Sequence, residues 1–268
     1  MTDKSPVRGQ WPEAPLALVL AQLRFETFMD LDAVAVPFRE QVEKLYPRVQ
    51  PIHRLVIPML GIGATPQEPP KPIVGGYAFN NAENTKSVRL EVGALTYAVS
   101  SYAKYEDHFE KEWRELVAAV SSIRELFVTR IGLRYVDFII PAEGASPDDY
   151  VVEPLGRTPA IDGGNAPTAF NLFEYTMAQG QMRVQYGRGV GRPELPPDLQ
   201  NLQLALSPVM TKETTGSAAI LDTDRWMEPA ASLPIDGIMP LFATMHADMS
   251  TAFRRIITPR ALKEWGAH

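Results

Sequence analysis

Cysteine is absent from this chain of 268 residues. Without thiolates there is no disulfide framework, no thiolate zinc site, no iron–sulfur cluster and no cysteine nucleophile. The absence agrees with a reducing compartment, and the expected location is cytoplasmic. Histidine is scarce. The four residues His53, His108, His246 and His268 stand far apart, with no HExxH helix among them. No serine sits in a Gly-x-Ser-x-Gly elbow, and no GxxxxGK[ST] phosphate loop occurs. Long apolar runs are missing too: nothing approaches the roughly 18–20 residues that cross a bilayer. The opening MTDKSPVRGQWPEAP lacks the apolar core of a signal peptide. The expectation is a soluble chain with no membrane partner. Positive charge is also in deficit. Lys and Arg number 26 against 32 Asp and Glu, a net charge of −6. That argues against sequence-independent nucleic-acid binding through a broad cationic surface.

What is present reads as globular: 45% hydrophobic and 22% charged residues. The length suits one large domain or two intimate halves. Residues 1–15, with four prolines or glycines, predict an extended arm. Residues 16–28 alternate as a strand, Leu23 and Phe25 on one side, Arg24 and Glu26 on the other. AVAVPFREQVEKLYP has helical spacing at Val34, Phe38, Val42 and Leu45, with Asp32 near its start and Pro47 ending it. IHRLVIPMLGIG predicts a strand with an edge or bulge at Pro58, followed by a loop at 63–72. A hairpin around Asn80–Lys86 and a strand in ALTYAVSSY come next. KYEDHFEKEWRELVAAVSSI is the clearest helix, striped by Phe109, Trp113, Leu116 and Val120.

The second part repeats this grammar. A strand at 130–140 leads into a Pro/Gly-rich stretch at 141–168 with a short helix near PDDYVVEPL. Strands are predicted at 169–179, 181–188, 201–208 and 217–226. A long helix follows, striped by Ile238, Phe242, Met245, Met249, Phe253 and Ile256, with Pro240 in its first turn. Leu23-Arg24-Phe25 aligns with Leu133-Arg134-Tyr135, and Phe28 with Phe138. Phe109 and Trp113 align with Phe242 and His246. These matches, in one order, predict an internal duplication. The boundaries are an arm at 1–15, a first repeat at 16–123, a second at 124–258 and a C-terminal tail at 259–268. The predicted class is α+β: two β-α-β4-α halves joined in one curved antiparallel sheet, long helices on one face and the other face free. That topology resembles the TATA-binding-protein-like architecture. A helix-grip fold is the alternative. Fold alone transfers no activity.

APLALVLAQLRF, TRIGLRYVDFI, AAILDTDRW and AFRRIITPRALKEWG, in that order, resemble a sporadically distributed prokaryotic family of uncharacterised proteins of similar length. The resemblance implies no established activity and no catalytic residue to carry over. Its patchy distribution implies mobile or defence-related gene neighbourhoods.

The candidate binding residues are Arg24, Arg134, Glu91, Asp222 and Asp224. Arg24 and Arg134 are matched by the repeat, as are Glu91 and Asp222, and alternation sends all four to the sheet face away from the helices. Two Arg–carboxylate pairs are therefore expected there, as structural ion pairs or as a surface for an anionic or polar partner. Asp222-x-Asp224 is a weak spacing for a hard cation. His246 is expected to be a satisfied, partly buried helix histidine. Gly187-x-Gly189-x-Gly191 precedes prolines instead of a helix and predicts a flexible turn. Arg183, Arg188 and Arg192 form one basic cluster, and Arg254, Arg255, Arg260 and Lys263 another. The function these features favour is a non-enzymatic binding or adaptor protein with a protein partner. Nucleic acid is the weaker partner. No cofactor, metal or catalytic residue is assigned. The alternative is a metal-assisted small-molecule or nucleotide-processing enzyme, with a pocket between sheet and long helix.

Overall fold

A computed structural model describes residues 11–55, 72–102, 104–159, 161–162, 164, 166–214, 216–229 and 231–266. The first ten residues of the arm, Pro58, the loop from 63 to 71 and His268 lie outside the described residues.

The chain is α+β, built on one curved, open antiparallel sheet. Its strands are β1 (Leu16–Phe25), β2 (Arg48–Leu55), β3 (Pro72–Asn80), β4 (Lys86–Glu91), β5 (Ala94–Val99), β6 (Phe127–Ile139), β7 (Ala169–Thr176), β8 (Gln181–Val190) and β9 (Ser217–Met227). Their order across the sheet is β2-β3-β4-β5-β1-β6-β9-β8-β7, and a two-residue β10 (Ala231–Ser232) pairs with β6. The helices are α1 (Asp32–Val42), α2 (Glu110–Ile123), the single turn α3 (Glu153–Gly156), α4 (Ile235–Ile256) and α5 (Pro259–Glu264). Among the described residues, no helix is long and apolar enough to cross a membrane.

Period-two alternation decides which face each strand residue serves. Val19, Ala21, Leu23 and Phe25 of β1 join Ile131 and Leu133 of β6 and Leu221 of β9 under the helices. α2 seals them with Trp113, Leu116, Val117 and Val120, and α4 with Ile238, Phe242, Met245 and Met249. Trp113 is fully buried and meets Phe242 edge-on at 5.4 Å between ring centroids. Burying side chains of this size contributes roughly 1.5–3 kcal/mol each. A wide π-type turn, Tyr105–Phe109, leads into α2.

Four sequence expectations change. Leu45 is exposed and Tyr46 takes the buried position, because α1 ends at Val42 and the following turn rotates the chain. α4 starts at Ile235, so Pro240 is its sixth residue and lies in the second turn. Only the early backbone bond that Pro240 cannot donate is lost there. Residues 201–208 form no strand. Pro208 cannot donate to a ladder, and the segment's polar groups are bonded elsewhere: Ala205 N–H to the Asn84 carbonyl (2.7 Å), and the Ala205 carbonyl to the Ser100 hydroxyl (2.6 Å). The sheet face away from the helices is therefore partly covered. Leu199, Leu202, Val209 and Met210 of this long connection pack on Leu18, Ala98, Val136 and Phe138. Finally, the predicted tail contains α5, whose Thr258 hydroxyl caps the Ala261 amide at 3.3 Å, and Trp265 beyond it stacks on Trp11.

Candidate functional site

The uncovered part of the helix-free face is a cleft of about 920 Å³. All five candidate residues line it: Arg24, Arg134, Glu91, Asp222 and Asp224. Arg89, Arg130 and Arg183 join them, so five arginines share one concavity.

Arg134 and Asp222 form the expected pair. Asp222 is opposite Val136 in the β6–β9 register and reaches diagonally to Arg134. The fork is bidentate: Nε to Oδ1 at 2.8 Å and Nη2 to Oδ2 at 2.6 Å. Nη1 donates to Asp198 of the covering connection at 2.6 Å. The two carboxylates raise the Arg134 guanidinium above its ordinary value against the opposing effect of burial. This is an anchor for the connection, and it occupies Asp222. Asp224 is raised from the ordinary carboxylate value by burial, with Arg130 and Arg134 opposing. Among the described residues, no group of three or more His, Asp or Glu is arranged to hold a metal.

The second expected pair does not form. Arg24 is exposed, and its Nε donates to Gln22 at 2.8 Å. Glu91 takes Arg54 of β2 instead, at 2.8 Å. The register gives the reason. Arg134 stands opposite Asp224, whereas Arg24 stands opposite Ala94. Glu91 is one strand further away, on β4.

Arg24 instead faces Arg130 across the β1–β6 ladder. Arg130 lies over the Trp226 ring at 5.2 Å and Arg183 over the same ring at 5.5 Å. Asp224 approaches Arg130 only at 3.6 Å. Burial lowers the Arg130 guanidinium from its ordinary value; Asp224 and Glu228 oppose this, and the Arg24 and Arg183 charges add to the lowering. The Nε atoms of Arg89 and Arg183 are buried and have no hydrogen-bond partner among the described residues, although Arg183 Nε lies 3.4 Å from a Glu174 carboxylate oxygen.

The basic clusters disperse. Arg188 pairs with Asp148 at 3.0 Å, Arg192 donates to the Met210 carbonyl at 3.2 Å, and Arg260 pairs with Glu264 and Asp149. Gly187 and Gly189 lie inside β8, and Gly191 turns with a positive φ of 84°. His246 is half-buried, shares a 2.8 Å hydrogen bond with the Tyr135 hydroxyl, and stacks on Tyr105 at 3.9 Å.

Two residues escaped the sequence reading. Arg225 lies on the helix side of β9 at 1% exposure. It bonds Asp248 of α4 at 3.2 Å and the carbonyls of Gln179, Gln181 and Trp226. It thereby ties α4 to the β7–β8 turn, where Gly180 has a φ of +76° and no room for a Cβ beside the Trp226 carbonyl. Asp137, a carboxyl in a helix-facing position of β6, is the other. The alternation of TRIGLRYVDFI carried that signal.

No protein-family model matches the chain, and no curated protein matches it.

Proposed function

We propose that this chain is a binding protein whose helix-free cleft receives an acidic segment of a protein partner. One observation carries this: Arg130 and Arg183 both lie over Trp226, Arg24 faces Arg130 across the ladder, and the carboxylates paired with them, Asp224 at 3.6 Å from Arg130 and Glu174 at 3.4 Å from Arg183, are loosely placed. Like charges held together in a partly desolvated cleft are costly until an anion arrives. Guanidinium forks suit carboxylates through paired donors. The overall negative charge favours discrete recognition over a general polyanion surface.

An internal duplication is part of the same reading. The strand order supports it: β2-β3-β4-β5-β1 on one side meets β6-β9-β8-β7 on the other. So does the register. Gln22 pairs with Gly132, its own counterpart under the shift that carries Arg24 onto Arg134. On this reading the second half is one strand short, and α3 stands where the first half has α1. The likeness to a TATA-binding-protein-like sheet extends to this order and brings no DNA activity with it.

The test is capture from native-host lysate, with and without nuclease, comparing wild type with Arg24→Ala/Arg130→Ala. Arg134 is left intact because it anchors the connection. A protein retained after nuclease, lost with the folded variant and displaced by polyglutamate but not by polylysine is the expected result. Loss on nuclease treatment would transfer the cleft to nucleic acid. Equal capture by both proteins would remove the cleft from the binding function.

A further inference from the structure

A second concavity, about 630 Å³, lies on the opposite face of the sheet, between β6, α4 and the segment that precedes β1. It is independent of the arginine cleft: Asp137 and Tyr135 line this cavity, while Arg134 between the strand's alternating positions lines the other. The volume falls within the range of small-molecule sites. Its walls are aromatic, with Trp11, Tyr102, Tyr135 and Phe253. Tyr102 meets Tyr135 edge-on at 6.3 Å. His246 holds the Tyr135 hydroxyl at 2.8 Å, which fixes that ring in place.

Asp137 forms part of this lining and is only 4% exposed. Among the described residues it has no hydrogen bond and no ion pair, and neither lysine nor arginine lines the cavity. Buried carboxyls in folded proteins are nearly always paired or hydrogen-bonded, because an unpaired buried charge costs several kcal/mol. A carboxyl with no donor bonded to it among the described residues, inside an aromatic-walled cavity of ligand size, is complementary to a cation with an apolar body. Ring faces attract such a cation through their quadrupole, and the carboxylate neutralises it.

We propose that this cavity binds a small organic amine, its ammonium group on Asp137 and its apolar body against Trp11, Tyr102 and Phe253. Burial, with a smaller contribution from the Asp222 charge, raises the Asp137 carboxyl to about 8, in keeping with a group that lacks its counter-ion.

Calorimetric titration with phenethylamine, its neutral isostere 2-phenylethanol and phenylacetate tests this, beside a panel of alkyl, quaternary-ammonium and guanidinium cations. At least one cation is expected to bind saturably, and at least tenfold more tightly than its neutral isostere. Asp137→Asn, which preserves shape, should cost the cation at least tenfold and leave the neutral probe unchanged. Ser250→Trp narrows the cavity from α4 without touching Asp137, and should abolish binding of both. Equal affinity for charged and neutral probes would overturn the proposal. So would unchanged cation binding by a folded Asp137→Asn variant, or no binding by any cation of the panel.

Discussion

Asp222 and Asp137 are near neighbours across the β6–β9 ladder, where Asp222 is opposite Val136 and Asp137 opposite Leu221. They project to opposite faces of the sheet, and both are almost completely buried. On one face Asp222 receives both prongs of Arg134. On the other, Asp137 has no such partner among the described residues, and burial pushes its carboxyl up to about 8. Burial alone therefore does not decide whether a carboxylate stabilises a fold. The donors that reach it decide, and a carboxyl that none of the described donors reaches is where a ligand has something to contribute.

The largest effect is expected from breaking the matched face. Arg134→Ala leaves Asp222 buried without its fork, and should lower unfolding free energy by about 3–5 kcal/mol in urea titrations. A loss below 1 kcal/mol would mean that water replaces the guanidinium at no cost. Asp137→Asn should act in the opposite sense and with a pH signature. Burial holds the folded carboxyl at about 8, above its ordinary value of 3.8, so the folded state keeps a proton that the unfolded chain has released. That contribution is complete below about pH 4 and is lost as pH rises through about 8. Thermal melts of wild type should thus fall between pH 5 and 9 relative to Asp137→Asn, the gap widening towards pH 8. Parallel profiles would show that Asp137 is ionised in the folded state throughout. Asp198→Ala removes only the exposed arm of the Arg134 fork and should cost no more than about 1 kcal/mol, while amide exchange across residues 198–205 accelerates. Arg24→Ala is the smallest. With Gln22 as its hydrogen-bonded partner, it should move the urea midpoint by less than the equivalent of about 0.5 kcal/mol, although the proposed partner is lost when Arg130 is removed with it.

Much of this architecture was legible in period and punctuation. The alternation of LALVLAQLRF and TRIGLRYVDFI located the two central strands, and Asn80–Lys86 located the β3–β4 hairpin. The stripes of α2 and α4 identified their buried faces. Arg134 was matched to Asp222 because both side chains follow the same two-residue alternation. Arg24 misled, since its repeat position is set by β1 but its neighbour is set by β5, which offers Ala94. The connection containing residues 201–208 misled for a different reason. QLALS alternates well enough for a strand, yet its backbone is bonded by Asn84 and Ser100, distant residues that no local pattern announces. Asp137 was readable in principle: a carboxyl in register with Leu133 and Tyr135 breaks an apolar row, and such a break asks for a partner.

The position of β1 bears on how the molecule is made. Val19 pairs with Val99 on one side and with Tyr135 on the other. A central strand is thus synthesised before both of its neighbours. At about 5–20 residues per second, roughly ten seconds separate the synthesis of Phe25 from that of Ile139. Until β5 emerges LALVLAQLRF is an apolar strand with two open edges, and until β6 emerges it still has one, the kind of segment that pairs with strangers. Closing it requires long-range pairing, which slows folding. The heart of the sheet is therefore the part of the newborn chain most in need of a chaperone's cover.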